Sequence, residues 1–156
     1  MSRKSLIKQF NTEDDTTRFA RALAKHLGAG DVILLEGDVG AGKTHFARAV
    51  IKSLLLEDED VPSPTFTLVQ TYDTTAGALW HTDLYRLSSD FEVEELGLDE
   101  AMETAVCLIE WPDRLGPLSP ASALVIILEP MDNGRRMTAS WNDPKWNGRV
   151  EGFDDA

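Results

Sequence analysis

The chain has 156 residues, of which 42% are hydrophobic and 27% charged, as expected for one globular domain. Its formal net charge is −12 at pH 7, and its lysines and arginines form no dense cluster. We therefore expect no tight direct binding to DNA or RNA and favour a protein partner with a basic face. The longest apolar run, Ala123 to Leu128, is too short to span a membrane, and no basic leader opens the chain. The single Cys107 excludes an internal disulfide, which fits a cytoplasmic protein.

The first part of the chain is predicted to contain a strand, a helix, a second strand and a second helix. Residues 4–9 have the pattern of a short strand. Thr12 is a suitable N-cap for the first helix, since the acidic residues after it complement the helix dipole, and Gly28 ends that helix. Four consecutive apolar residues in 31–36 predict a short buried strand. Apolar residues at helical spacing over 46–54 predict the second helix.

The rest of the chain is predicted to add five strands, two short helices and a polar tail. The first two of these strands form one hairpin, and the last two form another around the turn at residues 132–134. The two helical pieces, over residues 87–103, are broken near Gly97. From Asn142 the chain is polar, contains a proline and two glycines, and is expected to be loosely ordered. The five strands are predicted over residues 66–72, 78–85, 105–111, 121–128 and 135–141.

The segment between the second strand and the second helix, residues 37–44, reads Gly-Asp-Val-Gly-Ala-Gly-Lys-Thr. It matches the phosphate-binding pattern G-x-x-x-x-G-K-[ST], and we call it the phosphate loop. Its glycines let the backbone approach a phosphate, and its N–H groups then face the anion. Lys43 is expected at the β- and γ-phosphates of ATP and the Thr44 hydroxyl on Mg²⁺, whereas a mere glycine-rich turn is the weaker alternative. The residues in and next to the loop that are predicted to contact the nucleotide are Asp38, Val39, Gly40, Ala41, Gly42, Lys43, Thr44 and His45.

A Mg²⁺ site at such a loop needs a further acidic group, which commonly comes from the end of a neighbouring strand. Asp83 and Glu110 both end predicted strands, and a carboxylate at the end of a buried strand is costly unless it has a partner. We therefore predict Thr44, Asp83 and Glu110 as metal ligands, and Lys43, Asp83 and Glu110 as catalytic residues. The alternative for each acid is a surface carboxylate. Glu110 is the better candidate for orienting the attacking water, although a metal ligand cannot easily also be a free base.

Several other residues have two interpretations each. Ser63-Pro64-Thr65 is a stiff hydroxyl-bearing loop, which could sense a γ-phosphate or simply connect two elements. Trp111 suits either a nucleotide contact or the core, and His81 is equally suited to packing or function. Arg86 and Arg114 are more suited to salt bridges with the many acids than to phosphate. The chain has no Asn-Lys-x-Asp segment for reading guanine, which weakens a GTPase interpretation.

Four segments occur in the order typical of one known family. With them the chain resembles the TsaE (YjeE) family, the bacterial P-loop ATPases required for threonylcarbamoyladenosine modification of tRNA. The similarity runs from about residue 6 to residue 140, and the tail beyond Trp141 matches nothing in that pattern. The segments are the phosphate loop, Ser63-Pro64-Thr65-Phe66, His81-Thr82-Asp83-Leu84-Tyr85-Arg86-Leu87 and Ile109-Glu110-Trp111-Pro112.

The resemblance implies ATP and Mg²⁺ as cofactors and the proteins TsaD and TsaB as partners in the cytoplasm. It implies an ATPase that is weak alone and stimulated by those partners, which would hold most of the tRNA. It also implies a switch-like segment from Ser63 to Thr67 and a position for Trp111 beside the nucleotide. The expected fold is α/β in one domain over residues 1–156, with a P-loop NTPase-like mixed sheet of parallel core strands, an antiparallel hairpin portion and flanking helices. The alternatives are a small-molecule or nucleotide kinase, or an ATP-gated binding module that does not hydrolyse ATP.

Overall fold

A computed structural model describes residues 3–38, 40–64, 68–85, 87 and 90–151. Its strands, numbered along the chain, are β1 (Lys4–Phe10), β2 (Val32–Glu36), β3 (Val69–Thr74), β4 (Gly77–Asp83), β5 (Val106–Glu110), β6 (Leu124–Met131) and β7 (Gly134–Trp141). Its helices are α1 (Glu13–Ala24), α2 (Lys43–Leu54), α3 (Asp90–Glu95), α4 (Leu98–Thr104) and α5 (Asn147–Glu151), with 3₁₀ turns at Pro112–Leu118 and Pro144–Trp146. No helix within these ranges is long and apolar enough to cross a membrane.

The strands form one mixed sheet in the order β1-β7-β6-β2-β5-β4-β3. β2 pairs in parallel with both β5 and β6, and β4 pairs in parallel with β5. The outer strands are antiparallel, because β3–β4 and β6–β7 are hairpins and β1 pairs with β7. The predicted mixed sheet, with parallel core strands and an antiparallel portion, is confirmed.

The sheet is buried on both faces. Side chains alternate along β2, so that Ile33 and Leu35 join the apolar cluster beneath α1 and α2. Val32 and Leu34 join a second cluster with α4 and the 112–118 turn. This two-sided burial explains the unbroken apolar run that predicted β2. Cys107, on β5, is also fully buried.

The parallel core determines where the functional residues lie. Because β2, β4, β5 and β6 run in the same direction, their carboxyl ends meet at one edge of the sheet. The register between β4 and β5 places Asp83 opposite Glu110 at this edge. Leu35, one residue before the end of β2, is also opposite Glu110. The chain leaving β2 therefore enters the phosphate loop beside both carboxylates.

The tail differs from the sequence prediction. Residues 144–151 form a 3₁₀ turn and α5, in which Trp146 and Val150 are fully buried. The Nε1 of Trp146 donates to the carbonyl of Ser122 at 2.8 Å. The buried Asp31 carboxylate accepts from Lys145 Nζ at 2.9 Å and from Arg149 at 2.7 Å. The predicted loose order is therefore wrong up to residue 151, because one tryptophan and two cations attach a polar segment to the core.

Candidate functional site

The phosphate loop follows β2 directly and leads into α2. Gly37 has φ +143°, and a Cβ there would lie 2.5 Å from the carbonyl oxygen of Leu128 in β6, so only glycine fits. The Asp38 carbonyl accepts from the Ala41 N–H at 3.0 Å and from Lys43 Nζ at 3.1 Å. Lys43 Nζ also donates to the Gly37 carbonyl. The lysine is thus folded back onto the loop.

Lys43 occupies a partly desolvated position. Its side chain is buried, and its Nζ lies 4.1 Å from the centroid of the Trp111 ring, in a cation–π contact. Burial lowers the pKa of the Lys43 ammonium, and the nearby carboxylates, Glu110 first among them, act in the opposite direction. A ligand that brings negative charge to this ammonium therefore stabilises its charged form.

Thr44 and Glu110 are in direct contact. The Thr44 hydroxyl donates to the Glu110 carboxylate, with distances of 2.9 Å to Oε1 and 3.1 Å to Oε2. His81 Nε2 lies 2.7 Å from Glu110 Oε2, and both side chains are almost completely buried. The Nδ1 of His81 has no hydrogen-bond partner in the described part of the chain. Because a carboxylate only accepts, Nε2 is the nitrogen that carries the hydrogen of this pair. The buried Glu110 thus has two donors.

Asp83 lies next to this pair and is 5% exposed. Its Oδ1 accepts from the backbone N–H of Tyr85 at 2.9 Å, which turns the chain sharply at the end of β4. Thr44, Asp83 and Glu110, the three predicted metal ligands, all line one cleft of about 400 Å³. The structure therefore brings together residues from α2, β4 and β5.

The chemistry of these donors fits Mg²⁺. A hydroxyl and two carboxylates are hard oxygen ligands, and Mg²⁺ commonly binds one or two protein carboxylates while phosphate and water supply the remaining ligands. The described residues contain no group of three His, Cys, Asp or Glu side chains that could hold a metal ion by themselves. A Mg²⁺ site in which a nucleotide phosphate supplies further ligands agrees with the oxygen donors present and with the small number of protein carboxylates.

Most of the other predicted nucleotide contacts line the same cleft, including Gly40, Gly42, His45 and Trp111. Asp38 and Ala41 do not line this cleft, and the Ala41 side chain packs in the core beneath α1 and α2. His45 also faces α1, with Nε2 3.3 Å from the Thr17 hydroxyl. The predictions for Val39, Arg86 and the segment 65–67 lie outside the described residues.

Trp111 forms one wall of the cleft together with Tyr85. Trp111 has φ +59°, an uncommon conformation for a bulky residue, and its ring centroid lies 4.7 Å from that of Tyr85. Tyr85 belongs to the family-typical segment 81–87, but no local pattern indicated its role in the cleft.

Arg114 pairs with Asp113 at 3.7 Å and donates to the Tyr85 carbonyl at 3.5 Å, in keeping with its predicted salt-bridge role.

A second residue missed by the sequence is Arg135, at the start of β7. Its Nη2 donates to the Gly40 carbonyl of the phosphate loop at 3.3 Å. The two residues are 95 positions apart, so no local pattern indicates the contact.

Comparison with known proteins finds similarity over most of the chain. A family profile described as "Threonylcarbamoyl adenosine biosynthesis protein TsaE" matches residues 10–138. The "tRNA threonylcarbamoyladenosine biosynthesis protein TsaE" of Rickettsia conorii is 40% identical over 139 residues, which cover 89% of this chain and 79% of that protein. The protein of the same name from Bacillus subtilis is 38% identical over 117 residues, covering 74% and 72%. The crystal structure of Bacillus subtilis YdiB is similar with a TM-score of 0.79 and 29% identity, covering 97% of this chain and 95% of that one.

Proposed function

This chain belongs to the TsaE family of threonylcarbamoyl adenosine biosynthesis proteins, and we propose that its part in this tRNA modification is to bind and hydrolyse ATP with Mg²⁺. The observation that carries the proposal is the 2.9 Å contact between the Thr44 hydroxyl and the Glu110 carboxylate. It joins the end of the phosphate loop to the end of a core strand, in the cleft that Lys43 and Asp83 also line.

The residues of the cleft have different roles in the proposed reaction. Lys43 leaves the two loop carbonyls and binds the β- and γ-phosphates. Thr44, Asp83 and Glu110 would hold Mg²⁺, and the bound ion would supply positive charge for the transferred phosphoryl group. His81 keeps the Glu110 carboxylate in one orientation. Rate enhancement in phosphoryl transfer comes mainly from positioning and electrostatics, and a buried, hydrogen-bonded Glu110 supports that kind of catalysis.

The proposed partners are the proteins TsaD and TsaB, in the cytoplasm. The net charge of −12 supports contact with tRNA through those partners rather than by this chain, since an acidic surface repels phosphates. Stimulation of a weak ATPase by partners would link hydrolysis to the assembled complex.

The test is ATP hydrolysis with and without TsaD and TsaB, for the wild type and for Asp83→Ala and Glu110→Ala. We expect slow release of free phosphate by the chain alone, a clear rise with the partners, and loss of that rise in both variants. Glu129→Ala is a matched control, because Glu129 is a half-exposed carboxylate on β6 that pairs with Arg136. Undiminished hydrolysis in both variants would overturn the metal-site assignment.

The same assay separates the alternatives. A phosphorylated acceptor in place of free phosphate would identify a kinase. An ATP-gated binding module would give no turnover even in the complex, while ATP strengthened association and Lys43→Ala abolished that effect.

A further inference from the structure

Arg135 lies against the phosphate loop although it belongs to the far hairpin of the sheet. β6 runs parallel to β2, so the β6–β7 turn and the loop after β2 share one edge. A Cβ on Gly42 would lie 3.0 Å from Arg135 Nε and 3.3 Å from both its Cδ and Cζ. The arginine side chain therefore packs directly on the glycine that precedes Lys43.

The contact fixes one peptide unit of the loop at both ends. Arg135 Nη2 donates to the Gly40 carbonyl at 3.3 Å, and the Ala41 N–H of the same peptide donates to the Asp38 carbonyl at 3.0 Å. Because a trans peptide is planar, with its C=O and N–H on opposite sides, these two bonds determine its orientation. The Asp38 carbonyl also accepts from Lys43. A continuous set of contacts thus joins Arg135 to the lysine of the loop.

Arg135 forms no salt bridge within the described residues, and its buried Nε has no hydrogen-bond partner there. The neighbouring Arg136 is different. Side chains alternate along β7, so Arg135 shares the face of Met137 and Ala139 beneath α1 and α2. Arg136 is on the opposite face, where it forms two 3.3 Å hydrogen bonds with Glu129. Arg136 is therefore paired with a carboxylate, whereas Arg135 faces the phosphate loop.

We propose that Arg135 is a positioning residue that fixes the phosphate loop through Gly40 and supplies a second cation to the phosphate site. This inference rests on the proposed nucleotide function and deepens it. The expected ligand is the diphosphate part of a nucleotide, since a fixed cation beside the loop favours multiply charged anions over a nucleoside. A loop that is already ordered loses less freedom on binding, which also favours affinity.

The experiment is calorimetric titration of the full chain with ADP, AMP and adenosine at several salt concentrations. We expect Arg135→Ala and Arg135→Gln to weaken ADP binding by at least about tenfold. Arg135→Lys keeps the charge and should stay within about threefold of the wild type. The Gln and Ala variants should also lower the salt dependence of ADP affinity, which a merely structural residue would not change. Arg136→Gln is the matched control and should bind ADP as the wild type does.

Two results would contradict the inference. One is ADP affinity of Arg135→Ala within about twofold of the wild type, and the other is equal affinity of the Gln and Lys variants. Lys43→Ala separates this failure from failure of the proposed function. Unchanged ADP binding in Lys43→Ala would overturn both proposals, whereas a defective Lys43→Ala with a normal Arg135→Ala would overturn only the role of Arg135. Thermal unfolding of each variant checks that it is folded.

Discussion

The Thr44 hydroxyl and the Glu110 carboxylate, 66 positions apart in sequence, are joined by a hydrogen bond of 2.9 Å. Two predicted metal ligands are therefore in direct contact, and together they would hold a Mg²⁺ ion at the start of α2.

Replacing Thr44 by Val keeps the shape of the side chain but removes the hydroxyl. We expect Thr44→Val to lose the tightening of ADP binding by Mg²⁺, while binding in EDTA stays within about threefold of the wild type, because the loop N–H groups and Lys43 remain. Titrations with ADP in Mg²⁺ and in EDTA measure the two affinities. Thr44→Ser is the matched control, since it restores a ligand oxygen. Equal Mg²⁺ dependence in the Val variant would exclude Thr44 as a ligand.

His81 is expected to stabilise the fold through Glu110. His81→Leu removes a donor to a buried carboxylate, which should lower the free energy of unfolding by about 1–3 kcal/mol. His81→Gln can still donate to Glu110 and should lose less. Urea unfolding of the two variants provides the comparison. If the Gln variant were the less stable of the two, packing rather than the hydrogen bond would explain the role of His81.

Cys107 makes the fold sensitive to alkaline pH. Burial raises the pKa of its thiol from 9.0 to about 12. The unfolded thiol therefore loses its proton at a lower pH than the folded one, and the Cys107 contribution to stability is complete below about pH 9 and lost as the pH rises toward 12. Between these values it should fall by about 1.4 kcal/mol per pH unit. Urea unfolding of wild type and Cys107→Ala at pH 8 and pH 10 measures the difference in slope.

The burial of Cys107 also predicts that its thiol reacts slowly in the folded protein. A thiol reagent at pH 8 should modify the native chain only at the rate of unfolding, and the urea-unfolded chain at once. Fast modification of the native protein would contradict the assignment of Cys107 to the core.

The docked tail should contribute strongly to stability. Trp146 is fully buried, so Trp146→Ala should lower the free energy of unfolding by about 3–5 kcal/mol. Lys52→Ala is the control, because Lys52 is exposed and makes only a long, exposed ion pair of 4.0 Å with Asp58 within the described residues. Thermal or urea unfolding distinguishes the two. A Trp146→Ala variant as stable as the control would mean that the tail does not dock in solution.

Most of the fold could be predicted from local patterns. The apolar run of β2 indicated burial on both faces, and the ends of two strands indicated where Asp83 and Glu110 would meet. The contact between His81 and Glu110 depends on the register of β4 against β5, since a shift by one residue would turn His81 to the other face. The contact of Arg135 with Gly40 depends on the place of β7 in the sheet. Neither contact can be predicted from the spacing of residues along the chain.

The tail was mispredicted for a related reason. Its composition is polar, and composition alone is typical of a loose segment. What orders it is the buried Asp31, more than a hundred positions earlier, which receives Lys145 and Arg149. Which charged residues form a pair depends on the folded sheet, so this pairing could not be predicted from the composition of the tail.

The pairing of β1 with β7 also determines when the chain can fold during synthesis. Lys4 is aligned with Trp141, and Phe10 with Arg135, so β1 cannot pair until β7 has been synthesised. Both lie at one side of the sheet, beyond β6. A nascent chain that has left the ribosome only as far as residue 130 has a phosphate loop but no β7 to support it. Such long-range pairing slows folding, and the proposed nucleotide site is therefore supported by β7 only after residue 141 has been translated.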